Sequence, residues 1–207
     1  MKVLLLNGSP KAAGCTFTGL IVVTEELKKF GIETEIFQIG KAPISGCTVC
    51  GGCRSNKKCI LPEDGVNEFL AKVKDSDGMI FGTPVHFAGP SGAIKSFLDR
   101  VFYTDASIFR GKPGAIMASV RRGGASATLD GINKFLSYAE MPIVSGRYWN
   151  MIHGNTPEQV LQDEEGIQNL KFLARNMAWL LQCIEAGAKV GINFPEQEEK
   201  VWTNFIR

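Results

Sequence analysis

Lys2-Val3-Leu4-Leu5-Leu6-Asn7-Gly8-Ser9-Pro10-Lys11-Ala12-Ala13-Gly14-Cys15-Thr16 decides how the rest of the chain is read. The apolar run has the length of a buried strand and breaks at Gly and Pro. From Thr16 onward apolar residues recur at helical spacing, with Leu20, Val23, Leu27 and Phe30 on one side and Gly31 closing the pattern. This predicts a strand, a loop and a helix over residues 16–30. Unpaired backbone N–H groups at such a helix start attract anions. Ser9, Thr16 and Thr18 add hydroxyls, Lys11 adds a positive charge, and Gly8 and Gly14 permit close backbone approach. The loop lacks both G-x-x-x-x-G-K-[ST] and G-x-G-x-x-G, so a phosphate monoester suits it better than a nucleoside triphosphate or a dinucleotide. The competing reading is an ordinary βα turn whose Ser and Thr serve only as caps.

Outward from this unit, strands and helices alternate. Residues 33–39 alternate polar and apolar, as an edge strand would. Asp64 begins a helix that turns Val66, Phe69, Leu70 and Val73 inward. Residues 77–83 read as a short third strand, and Thr83-Pro84-Val85-His86-Phe87-Ala88-Gly89-Pro90 as a rigid loop. A helix from Ser91 carries Ile94, Phe97, Leu98, Val101 and Phe102 inward, with Lys95 and Asp99 four apart on one face. A fourth strand over 112–120 ends in Arg121-Arg122-Gly123-Gly124, before a helix at 125–139. A fifth strand is expected at 141–146, then a polar loop holding His153, then a long helix over 163–186. The pattern predicts an α/β fold, a doubly wound five-stranded parallel sheet in the order 2-1-3-4-5. Loops after strands one, three and four then meet beyond the carboxyl ends of the strands, the first for a phosphate and the other two around a flat ring. Residues 1–187 form one domain in this reading. Residues 188–207, with Phe194, Trp202 and Phe205, form an arm that packs on its own domain or on a partner subunit.

Lys and Arg number 23 against 21 Asp and Glu, a balance that gives no case for nucleic acid or an anionic membrane. No apolar run approaches the roughly 18 residues of a membrane span, and the opening residues do not form a signal-peptide pattern, so a cytoplasmic location is expected. Four of the six cysteines, Cys47, Cys50, Cys53 and Cys59, share one loop with Gly51 and Gly52. Such compact spacing suits four thiolates around an iron–sulfur cubane. Tetrahedral zinc and free or disulfide-bonded thiols are the rivals. Arg54, Lys57 and Lys58 lie beside the loop as candidate counter-charges. Cys183 reads as a small core residue of the last helix, and Cys15 as a helix-start thiol, either reactive or inert.

Asn7-Gly8-Ser9-Pro10-Lys11 with Thr16, then Thr83-Pro84-Val85-His86, then Ser91-Gly92 with Lys95, Phe97 and Asp99-Arg100, then Arg122-Gly123-Gly124 follow in order across roughly the first 150 residues. Together they resemble the NADPH-dependent FMN reductase family, and the cysteine pattern resembles its iron-sulfur flavoprotein branch. The resemblance implies a flavodoxin-like fold, bound FMN, a [4Fe–4S] cluster on Cys47, Cys50, Cys53 and Cys59, and homodimers or homotetramers with FMN at subunit interfaces. Carried over, Ser9, Lys11 and Thr16 bind the phosphate, with Phe17 and Thr18 beside them. Thr83, Pro84, Val85, His86 and Phe87 line the isoalloxazine, and Ser119, Arg122, Gly123 and Gly124 close over it. Cys15 stands where the family commonly has Asn, which removes a side-chain amide from the phosphate loop. The implied activity is hydride transfer from NADPH or NADH to the flavin and onward to a small acceptor such as a flavin or quinone. The flavin carries that chemistry, with His86 as a ring-edge donor at most. An electron-transfer flavoprotein fed by a ferredoxin-like partner is the alternative, and a flavin-binding module without turnover is a third reading.

Overall fold

A computed structural model describes residues 1–62 and 64–203. β1 (Lys2–Asn7) leads into α1 (Cys15–Lys28), and β2 (Glu33–Gln38) follows. After the cysteine loop come α2 (Val66–Lys74), β3 (Gly78–His86), the two-residue β4 (Gly89–Pro90) and α3 (Gly92–Asp105). Then come β5 (Gly114–Val120), α4 (Ala125–Tyr138), β6 (Met151–His153), the short α5 (Pro157–Val160) and α6 (Glu164–Lys189). The parallel strands are ordered β2-β1-β3-β5-β6, the doubly wound order expected, with β2 at one edge. No helix among the described residues is long and apolar enough to cross a membrane.

Period-two alternation along β1 divides the core. Leu4 and Leu6 face α2, α3 and α4, where Phe37, Phe69 and Phe97 pack with ring centroids 5.3 to 6.1 Å apart. Val3 and Leu5 face the other way, into Leu20, Val23 and Leu27 of α1 and Leu170, Leu173 and Met177 of α6. α1 and α6 are also tied by Glu26, a buried carboxylate that accepts from Lys29 Nζ at 2.6 Å and Arg175 Nε at 2.7 Å. The Lys29 hydrogen bond first, then Arg175, hold its pKa below the usual value of 4.5. A carboxyl depressed in the folded state contributes stability above its unfolded pKa and loses it as pH falls through the folded one. Glu26→Gln is therefore expected to cost about 2 kcal/mol at pH 7. The gap to wild type should narrow below about pH 4.5, and urea melts at both pH values check this.

Three expectations are corrected. The third strand does not end at Thr83: β3 runs on through Pro84-Val85-His86 and folds back antiparallel on Gly89-Pro90, so the expected loop is a β-hairpin. Its two-residue tip, Phe87 and Ala88, has φ of 48° and 60°, the left-handed pair that tight hairpins need and that usually falls to Gly or Asn. The fifth strand is not continuous over 141–146. Residues 142–144 pair with β5 only around Gly114, through Gly114 N to Pro142 O at 2.9 Å and Val144 N to Gly114 O at 2.8 Å. Pro142 lacks an N–H to extend the ladder. The chain then bows out, its Arg147 and Tyr148 amides caught by Asn169 Oδ1 at 2.8 and 2.9 Å, and pairing resumes at Met151–His153, within the expected polar loop. Cys183 is exposed on α6 and not a core residue. In the arm, Phe194 packs on Gly111 and beneath Arg110, whose guanidinium carbon lies 4.8 Å from the ring centroid, while Trp202 is exposed. Phe205 lies outside the described residues.

Candidate functional site

The carboxyl ends of β1, β3 and β5 and the chain after β6 enclose a 230 Å³ cavity. It is lined by Ser9, Pro10, Lys11, Cys15 and Thr16 from the first loop and helix, by Pro84, Val85 and His86 from β3, and by Ser119, Val120, Arg121, Gly154 and Asn155. The first loop is held from below. Asn7 Nδ2 donates to Gln38 Oε1, Gln38 Nε2 donates to Ser9 O at 2.6 Å, and Asn7 Oδ1 accepts from Ser9 N at 3.2 Å. Ser9 Oγ in turn accepts from Lys11 N at 3.2 Å. α1 starts on this cavity with Gly14 at its cap, which supplies no side-chain acceptor, and with no acidic residue in its first turn. Amide N–H groups of that turn are left for an anion, with the positive end of the helix dipole behind them. The cradle therefore fits a phosphate.

The expected site residues divide. Ser9, Lys11, Thr16, Pro84, Val85, His86 and Ser119 come together on the cavity. Ser119 sits under the helix start, its hydroxyl 2.7 Å from that of Thr16. Thr83 is buried and structural: its Oγ1 accepts from Ser91 N at 3.4 Å at the start of α3. Thr18 donates back to Gly14 O at 3.1 Å within α1. Phe17 and Thr18 are half-buried off the cavity, and Phe87 projects fully into solvent from the hairpin tip. Arg122 and Gly123 are exposed beside the cavity, and Gly124 packs against Ala88 and Val85 from outside it. Arg121 reaches the lining where Arg122 does not. Gly154 and Asn155 escaped the sequence reading because the last strand was placed too early; a strand ending at His153 would have put both in the ligand-binding register.

A larger cavity of 560 Å³ lies between the arm and Arg110, Tyr138 and Glu140. Its lining mixes Glu140, Glu196 and Glu198 with Arg110 and Lys200, and Arg110 is already paired with Glu140.

All four loop cysteines line a separate 150 Å³ cavity, with Arg54 and, from α3, Arg100, Tyr103 and Thr104. Cys47 Sγ accepts from Val49 N at 3.4 Å, and Cys53 Sγ donates to Tyr103 O at 3.5 Å. Val49 and Gly51 have φ of 53° and 75°, so the loop is tightly coiled. A backbone hydrogen bond from Gly52, ahead of one from the Thr48 side chain, draws the exposed Cys50 thiol below its usual pKa. Cys59 is anchored differently: its N–H donates to Asn67 Oδ1 and its carbonyl accepts from Asn67 Nδ2, both at 2.9 Å. Arg100 Nε and Nη2 both reach Cys59 Sγ at 3.3 Å. Among the described residues no group of three His, Cys, Asp or Glu side chains is arranged to hold a metal ion. The donor set fits an iron–sulfur cluster in kind and number: all four cysteines line one cavity, with N–H donors to Cys47, Cys50 and Cys59. The expected counter-charges shift: Arg54 lines the cavity, Lys57 is 3.7 Å from Asp105, and the cation touching sulfur is Arg100, 41 residues away in sequence.

Residues 1–156 match the family described as NADPH-dependent FMN reductase. An iron-sulfur flavoprotein of Archaeoglobus fulgidus is 30% identical over 191 residues, covering 87% of this chain and 97% of that one. One of Methanocaldococcus jannaschii is 29% identical over 193 residues, covering 89% of this chain and 100% of that one. Among solved structures, RosB with a bound formylriboflavin phosphate intermediate superposes with a TM-score of 0.71 at 15% identity, covering 100% of this chain and 92% of that one.

Proposed function

Because the chain belongs to the NADPH-dependent FMN reductase family, in its iron-sulfur flavoprotein branch, we propose that it is an FMN-dependent oxidoreductase taking hydride from NADPH or NADH and passing electrons to a small acceptor such as a flavin or quinone. The observation that carries this is the 230 Å³ cavity, where an uncapped helix start meets the ends of three parallel strands. Ser9, Lys11, Thr16 and the first-turn amides of α1 would hold the FMN phosphate. Pro84, Val85 and His86 would bound the ring on one side, with Arg121, Gly154 and Asn155 at the opposite rim. Bound FMN supplies a ring nitrogen that accepts hydride and returns electrons. His86 lies exposed at the rim, where it would serve as a ring-edge donor. Arg121, which lines the cavity, would meet a phosphate of the nicotinamide dinucleotide.

Purified protein is expected to be yellow, to bind FMN with 1:1 stoichiometry and to oxidise NADPH or NADH with added flavin or quinone. Protein that binds no FMN on reconstitution would refute this reading. A second reading is favoured by the shared cysteine cavity: a [4Fe–4S]/FMN electron-transfer protein, a homodimer or homotetramer, reduced by a ferredoxin-like partner. The names of the two archaeal relatives support it. Roughly four irons and four sulfides per chain, with reduction by ferredoxin faster than by nicotinamides, would establish it. Flavin alone would leave the cysteine loop structural.

A further inference from the structure

Arg100 is an unusual core residue: a guanidinium 1% exposed, in the middle of α3, beneath the cysteine cavity. A buried arginine normally spends its donors on a carboxylate, often as a two-pronged pair. Here Asp64 takes only Nη1, while Nε and Nη2 converge on Cys59 Sγ and Nη2 also meets Pro62 O at 3.3 Å. Asn67 clamps both backbone groups of Cys59 from α2. One of the four sulfurs is thus fixed by two helices, while Cys47, Cys50 and Cys53 ride on the coiled loop above.

Resting on the reading of the cysteine cavity as a cluster site, we infer that Arg100 is a positioning residue. It fixes Cys59 as the anchored ligand onto which the 47–53 loop closes, and it tunes the cluster through two N–H···S bonds and a buried positive charge. Outer-shell donors of this kind orient ligands and govern how firmly metal is held, and hydrogen bonds to sulfur with nearby positive charge favour the reduced, more negative cluster. A guanidinium that merely filled space would need neither donor on sulfur.

The test compares wild type with Arg100→Lys and with a double variant, Arg100→Met and Asp64→Asn, which leaves no unpaired buried charge. Each is purified anaerobically and assayed for FMN, iron and sulfide per chain, iron loss to a strong ferrous chelator, and cluster midpoint potential. Both variants are expected to keep FMN and the wild-type circular dichroism spectrum, to lose iron faster, the double variant about tenfold, and to have a lower potential. The lysine variant, which keeps the charge but not both donors, should fall between. If the double variant does not fold, the lysine variant decides. Folded variants that hold iron as long as wild type, at the same potential, would overturn the inference. Wild type that carries FMN but no iron after anaerobic reconstitution would overturn the cluster reading itself, and the inference with it; that failure shows in wild type, before any variant is compared.

Discussion

Gly124→Ala is expected to destabilise the protein by about 3 kcal/mol, lowering Tm by about 6–12 °C, and to weaken FMN binding at least about tenfold. Gly124 caps α4 with φ of 94°, a conformation that costs any residue with a Cβ. The added methyl would also fall well inside contact distance of Ala88 Cα, 2.9 Å from Ala88 Cβ and 3.0 Å from Val85 Cγ1. Backbone cannot swing aside as a side-chain tip can, so the hairpin tip would move away from α4. That hairpin carries Pro84, Val85 and His86 into the cavity, and its displacement is what couples stability to flavin affinity. At neighbouring Gly123 the same Cβ meets nothing within 4 Å, so Gly123→Ala should melt with wild type. Thermal melts of both variants, with fluorescence titration of FMN into Gly124→Ala, check the contrast. Equal melting of the two would mean that α4 does not brace the hairpin.

That contrast marks what was legible in the sequence. The string Arg122-Gly123-Gly124 signals a permissive turn before a helix, but only the packing distinguishes the exposed glycine from the one against Ala88. Parallel order and the strand–loop–helix unit at the start of the chain were readable because they rest on local signals: a run of apolar residues, a glycine-rich break and a helical period. The hairpin was not, because Phe87 and Ala88 occupy left-handed positions without being the Gly or Asn that announce a tight turn. The broken last strand escaped for a tertiary reason. Asn169, on a helix far along the chain, pulls Arg147 and Tyr148 out of the sheet, while Gly146 admits no Cβ, which would lie 2.9 Å from Asn169 O. Gly154 and Asn155 were lost with it. Arg100 enters the sequence only within the Asp99-Arg100 motif; its burial against Cys59 depends on how the loop lies across α3, which no local pattern encodes.

Gly8→Val should abolish FMN binding at micromolar protein and cost about 2–3 kcal/mol of stability. Gly8 directly follows β1 where three elements meet: its N–H donates to Gly82 O at 2.8 Å, and its carbonyl accepts from Ser91 Oγ at 3.1 Å. An added Cβ would lie 2.5 Å from Ile94 Cδ1, 2.8 Å from Gly82 O and 2.9 Å from Ile94 Cβ. A turn of the Ile94 side chain would relieve only the first of these. Relief of the others demands that β1 part from β3, or that α3 lift from both, and either motion breaks the Ser91 bond. Ser91 also caps α3, accepting from Ile94 N at 3.4 Å, and is held by Thr83 Oγ1, so the damage would reach β3 as well. The first loop and Pro84–His86 would then stand apart, and a ligand bridging them would lose one end. Because a one-methyl change already clashes with Gly82 O, Gly8→Ala should show the same loss in weaker form, whereas loss of a surface charge such as Lys11→Ala should raise the FMN dissociation constant without lowering Tm. Flavin content on purification and urea melts of the three variants separate the outcomes: tight flavin binding by folded Gly8→Val would mean that the phosphate lies elsewhere than over this junction.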